Sequence, residues 1–137
     1  MARINWRRVL VGGLVAGFAW TVLSSVVTAA VGKDFAAAVP GNRLAAPSAG
    51  FVTFLFVLNL VEGVWAIWLY AAIRPRYGAG PRTAAVAGLG WWVISSLIDA
   101  TWGAFRFVPP EALLGPMAAS LPAIIAAIVA GAWFYKE

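Results

Sequence analysis

The sequence predicts an all-α integral membrane protein, a single domain over residues 1–137 built as a bundle of four transmembrane helices. Three observations carry this. Hydrophobic residues make up 63% of the chain and charged residues 11%, against about 25% charged in an ordinary soluble domain. Mean hydropathy is +0.87, more apolar surface than a soluble fold of this length can hide. Four apolar runs of about 20 residues or more, each enough to span a bilayer, are separated by short breaks rich in charge, Pro or Gly.

The first span is read at residues 9–31. It follows a basic lead-in with Arg3, Arg7, Arg8 and the interfacial Trp6. The Arg7-Arg8 pair before an apolar run also suits a cleaved signal peptide, but the run exceeds the roughly 7–15 residues of a signal core. Residues 32–49, with two Pro and mixed charge, form the longest connection. The second span, residues 50–73, carries one formal charge, Glu62, near its midpoint. Residues 74–82 (RPRYGAGPR) make a short turn before the third span at 83–105. The pair Pro109-Pro110 closes that span, and the fourth runs over 111–134.

Lys and Arg set the orientation. Arg3, Arg7, Arg8, Arg74, Arg76, Arg82 and Lys136 fall on one side, and Lys33, Arg43 and Arg106 on the other. Seven against three places both termini in the cytoplasm of a cell-membrane protein. The ten basic residues sit at the ends of apolar runs and form no stripe, so no nucleic-acid partner is expected. With no Cys and no His, disulfides, thiol chemistry and Cys or His metal sites are excluded. No cofactor, metal or catalytic group is expected. The partners expected are the lipid bilayer and either further copies of the chain or other membrane subunits.

The pattern W-x-V-Φ-S-S-Φ-Φ-x-A, where Φ is aliphatic, occurs from Trp20 to Ala29 and again from Trp91 to Ala100, an offset of 71. Trp68-Leu69-Tyr70 and Trp133-Phe134-Tyr135 match at an offset of 65. This order predicts two duplicated helical hairpins in parallel, related by a pseudo-twofold axis along the membrane normal. Asp99 aligns with Thr28, and Glu62 with Ala127, so both acids depart from the repeat.

A carboxyl group at mid-membrane costs about 2.5–3.5 kcal/mol on insertion scales, which makes Glu62 the leading candidate for function. No basic residue shares its depth, leaving a group that can take up a proton or a cation. Asn59 stands one helical turn away and is expected to orient it. Polar groups gather in the outer half of the spans. Ser24, Ser25, Thr28, Ser95, Asp99 and Arg106 are expected to line an outer cavity, with Arg106 reaching back toward Asp99 across roughly 10 Å of helix. Gly13, Gly17, Gly63, Ala119 and Ala123 read as helix-packing positions. Pro122 is expected to kink the fourth span, and Trp6, Trp68, Trp102 and Trp133 fit an interfacial belt.

The run from Asn5 to Leu14 (NWRRVLVGGL), the turn from Tyr70 to Gly78 (YAAIRPRYG) and the ending from Gly131 to Glu137 (GAWFYKE) resemble a group of small, uncharacterised four-span bacterial membrane proteins. The resemblance implies the same topology and carries over no functional residue. The chain lacks the first-helix acid of small multidrug transporters.

Together these readings favour a non-enzymatic transporter or channel using Glu62. The alternatives are an accessory subunit docking on other membrane helices, or a binder of lipid or a small apolar ligand. Reporter fusions test the orientation. Green fluorescent protein joined after Glu137 is expected to fluoresce, and alkaline phosphatase joined within residues 39–47 to be active; the opposite pair of readouts overturns it.

Overall fold

The computed structural model describes residues 4–38 and 48–135. Arg3, Arg43 and Lys136 from the charge count, and the 39–47 connection, lie outside the described residues. The order is α1 (Trp6–Ala38), α2 (Ala49–Tyr77), α3 (Pro81–Ala104) and α4 (Pro110–Phe134). They hold 33, 29, 24 and 25 residues. At about 1.5 Å per residue each exceeds the roughly 30 Å of a hydrocarbon core. All four are long and apolar enough to cross a bilayer. The outer surface is apolar too: Leu14, Phe18, Phe54, Leu97 and Leu114 are all exposed. A surface this continuous suits lipid rather than water.

Two helices outrun their expected ends. α1 continues past Gly32 through the helix-forming Ala36 to Ala38, with no Pro before Pro40. α2 continues through Pro75 to Tyr77, so the connection to α3 shrinks to Gly78–Gly80. Gly78 (φ 84°) and Gly80 (φ 131°) turn the chain where a side chain would be strained. The Thr83 hydroxyl closes the turn on the Gly78 carbonyl at 2.8 Å, and Pro81 opens α3.

α1 lies between α2 and α4; α3 packs on α4 and only lightly on α2, and α1 does not meet α3 among the described residues. One end of the bundle, here the terminal end, holds the start of α1, the α2–α3 turn and the end of α4. The distal end holds the α3–α4 connection. The core fills the terminal half, with Val9 and Ile67 fully buried among Tyr70, Ala84, Ala87, Ile128 and Tyr135. Tyr135 collects contacts there. Its hydroxyl accepts the Asn5 N–H (3.3 Å), its ring meets Tyr70 edge-on at 5.9 Å, and Arg74 lies over it at 5.5 Å.

Backbone contact sets the seams. A Cβ on Gly63 would strike the backbone of Gly13 and Gly17, so α1 and α2 touch main chain to main chain. A Cβ on Gly12 would sit 2.7 Å from the Gly131 carbonyl oxygen, giving α1 and α4 the same closeness. Gly17 faces Leu60, and Gly88 of α3 faces Ile125 of α4. Ala123 is buried and Ala119 half-buried on α4. Small residues matter here because lipid supplies no hydrophobic force between helices, and close van der Waals packing takes its place. Gly63→Val is therefore expected to cost about 1–3 kcal/mol, the range for overpacking. Gly90→Ala, where a Cβ meets nothing within 4 Å, should be neutral or slightly stabilising. Thermal unfolding in detergent reads both, and a stable Gly63→Val with unchanged Tm contradicts the seam.

Candidate functional site

In the distal half the four helices line a partly open cavity of about 380 Å³. Every helix lines it, and both intramembrane acids, Glu62 of α2 and Asp99 of α3, belong to its wall. Both are half-buried. No Lys or Arg among the described residues lines it. The wall is otherwise largely aliphatic and aromatic, with Trp20 and Trp91 among its members.

Helix geometry explains the placement. Ser24 and Thr28 stand one turn apart on α1, as Ser95 and Asp99 do on α3, so each pair shares a face. Those two faces wall the same cavity, across which the α1 and α3 backbones stay apart among the described residues. Glu62 precedes the buried Gly63 and thus sits where α2 is pulled closest to α1. α2 reaches the cavity only through Glu62, Gly63 and Ala66. From Ala49 to Leu58 every residue of α2 is exposed, so this part of the helix stands apart from the other three. The distal portion of the cavity is accordingly walled by α1, α3 and α4 alone.

Of the residues expected to line the cavity, Ser24, Thr28, Ser95 and Asp99 do so; Ser25 and Arg106 do not. Ser25 is rotated about 100° from Ser24 and is exposed, its hydroxyl bonded to the Thr21 carbonyl at 2.8 Å. The expected approach of Arg106 to Asp99 is not made. Arg106 is exposed and adopts φ 56°, the left-handed residue that ends α3. Its N–H bonds the Gly103 carbonyl and the next N–H, of Phe107, bonds the Trp102 carbonyl. The Trp102 and Phe107 rings pack at 5.6 Å. This is a Schellman stop, a role in the backbone rather than in the cavity.

Asn59 also differs from expectation. Its amide donates to the Thr21 hydroxyl on α1 at 3.1 Å, not to Glu62, and it does not line the cavity. Gly17 brings Asn59 against α1, so the nearest acceptor lies across the seam. Thr21 in turn donates to the Gly17 carbonyl at 3.0 Å. No hydrogen bond or ion pair reaches the Glu62 or Asp99 carboxyl groups from the described residues.

Ser120, an outer-half hydroxyl like the others, also joins the wall; Trp20 and Trp91 join it without having been expected there. The Trp92 indole donates to the Met117 carbonyl at 2.9 Å, pinning α3 to α4. The same carbonyl accepts the Ser120 hydroxyl at 2.8 Å. The repeat held the signal for the others: Trp20 and Trp91, and Ser24 and Ser95, are 71 residues apart, and all four face the cavity. Comparison with family models, with curated proteins and with solved structures finds no match.

Because Arg106 serves the helix stop, Arg106→Gly should stabilise the fold by about 1 kcal/mol through relief of the left-handed strain. A lowered Tm in detergent would instead show that its charge is needed.

Proposed function

We propose that this chain is a small multi-pass transport or permeation protein of the cell membrane, with Glu62 as its proton- or cation-binding group. The observation that carries this reading is the cavity: all four helices build it, it holds both intramembrane acids, and no basic side chain among the described residues lines it. An acid at membrane depth is costly, and a water-accessible cavity is where such a group is tolerated and used. Asp99, on the α3 wall, gives a second acceptor nearer the distal end, about 7–8 Å below the helix terminus by its position in sequence.

The termini are read as cytoplasmic from the seven-to-three distribution of basic residues, which turns the distal end outward. Duplication of a two-helix unit is supported by matched contacts. Gly17–Leu60 and Gly88–Ile125 are the same contact at offsets of 71 and 65, and Tyr70 and Tyr135, 65 apart, meet each other. Several wall residues pair by the same offsets, including Thr28 with Asp99 and Glu62 with Ala127. A site on the axis between repeats is where transporters of this construction bind their cargo. The acids are the point at which the two halves differ.

The Gly13 and Gly17 face, which an accessory subunit would offer to a partner helix, is filled by Gly63 of the same chain. In proteoliposomes the wild type is expected to dissipate an imposed proton or monovalent-cation gradient. Glu62→Gln should slow this by at least about tenfold, a loss of roughly 1.4 kcal/mol or more in barrier terms. Equal rates for both proteins remove Glu62 from any mechanism.

A further inference from the structure

The cavity is far larger than a proton or a bare metal ion needs. At about 380 Å³ it equals roughly a dozen waters at about 30 Å³ each, and lies within the range of small-molecule sites. Its wall is mainly apolar, with the Trp20 and Trp91 indoles beside aliphatic Val27, Ile94, Ile98 and Ile124. An apolar wall with a few convergent polar groups is the composition of a site for an organic molecule.

The polar groups are biased in kind. Four hydroxyls line the cavity, and three have their protons committed to their own helices. Ser24 donates to the Thr21 carbonyl (3.1 Å), Ser95 to the Trp91 and Trp92 carbonyls (3.2 and 3.0 Å), and Ser120 to the Met117 carbonyl (2.8 Å). A hydroxyl so used offers only oxygen lone pairs to the space in front of it. The carboxyl groups of Glu62 and Asp99 add further oxygen acceptors on two different helices, and no described residue bonds either one. The wall therefore asks for a ligand that brings hydrogen-bond donors and positive charge. The aromatic rings beside these acceptors also favour a cation, through the negative potential of their faces.

Access points to the same class. α2 contributes nothing to the wall beyond Glu62 toward the distal end, and its residues from Ala49 to Leu58 stand exposed. Among the described residues the α1 and α3 backbones stay apart. The cavity is consequently least walled on its α2 side in the distal half, a side that faces the bilayer interior when the helices span. A ligand arriving by that route must partition into lipid and still carry a charge.

We propose that the cavity binds an amphipathic protonated amine: an ammonium group held by one of the two carboxyl groups, Asp99 toward the distal end or Glu62 at mid-helix, on an apolar or aromatic body packed against Trp20, Trp91 and the isoleucines. This rests on the transport reading of the same site and names its cargo class.

The test is calorimetric titration of the detergent-solubilised full chain at neutral pH with three probes of one shape: 2-phenylethylamine, its N,N,N-trimethyl derivative and 2-phenylethanol. The amine is expected to bind at least about tenfold tighter than the alcohol and several-fold tighter than the trimethyl cation, which has charge but no N–H donor. The double variant Glu62→Gln/Asp99→Asn should lose at least about tenfold for the amine and stay within about twofold for the alcohol. Equal affinity for amine and alcohol overturns the proposal in favour of an apolar-ligand cavity. Equal affinity for amine and trimethyl cation overturns the assignment to N–H donors. Both comparisons use the wild type and stand even if the double variant fails to fold. The gradient assay uses no organic ligand, so the two readings fail separately. Glu62-dependent flux without amine preference sinks the cargo assignment alone, and amine preference with Glu62-independent flux sinks the ion mechanism alone.

Discussion

Main-chain contact along α1 holds this bundle. Its residues Gly12, Gly13, Ala16 and Gly17 place small surfaces on two sides of one helix, and α2 and α4 each press against one of them. In lipid the side chains on the outside of a helix are as well solvated as those between helices, so apolar burial gives little reason to associate. What remains is the dispersion gained when backbones approach closely enough for many atoms to touch. Gly63 and Gly131 are the partners that allow it, and a side chain at either would meet α1.

The cavity follows from where such contact is lacking. α3 has its own glycine, Gly88, against Ile125 of α4, and the Trp92 bond to the Met117 carbonyl beside it. Toward α2 it has only the short turn and a light contact. Three tight seams and one loose one leave a gap on the fourth side. The acids occupy that gap because it is the place among the four helices with room for a polar group that no neighbour satisfies.

Much of this was legible in the sequence. Four spans follow from hydropathy alone, since each must hold about 20 apolar residues whatever it packs against. Small residues at Gly13, Gly17 and Gly63 announce a close approach because nothing larger fits one. Ser24, Thr28, Ser95 and Asp99 could be assigned to one cavity because helical spacing puts each pair on a face. Two of the failures share one cause. Asn59 and Arg106 were given partners on their own helices, at distances the helical repeat allows. The structure gives Asn59 a hydroxyl on α1 and Arg106 a left-handed backbone position. Both depend on the neighbouring helix or on how the chain leaves its own, and a one-dimensional repeat contains neither. α1 and α2 run on past the spans read from the sequence for a related reason: a Gly or Pro near a terminus weakens a helix by an amount its remaining turns can absorb.

The two-sided α1 has a consequence for biogenesis. Its first face can be covered as soon as α2 emerges, but its second waits for Gly131, more than a hundred residues further along the chain. At about 5–20 residues per second that delay is on the order of ten seconds. During it the nascent protein is a helical hairpin with half of its glycine surface turned to lipid, and anything that holds membrane segments in reserve, such as an insertion machine or a chaperone, has that surface to hold. Closure then comes at a single late step, when α4 lays Gly131 against Gly12 and Tyr135 takes the N–H of Asn5.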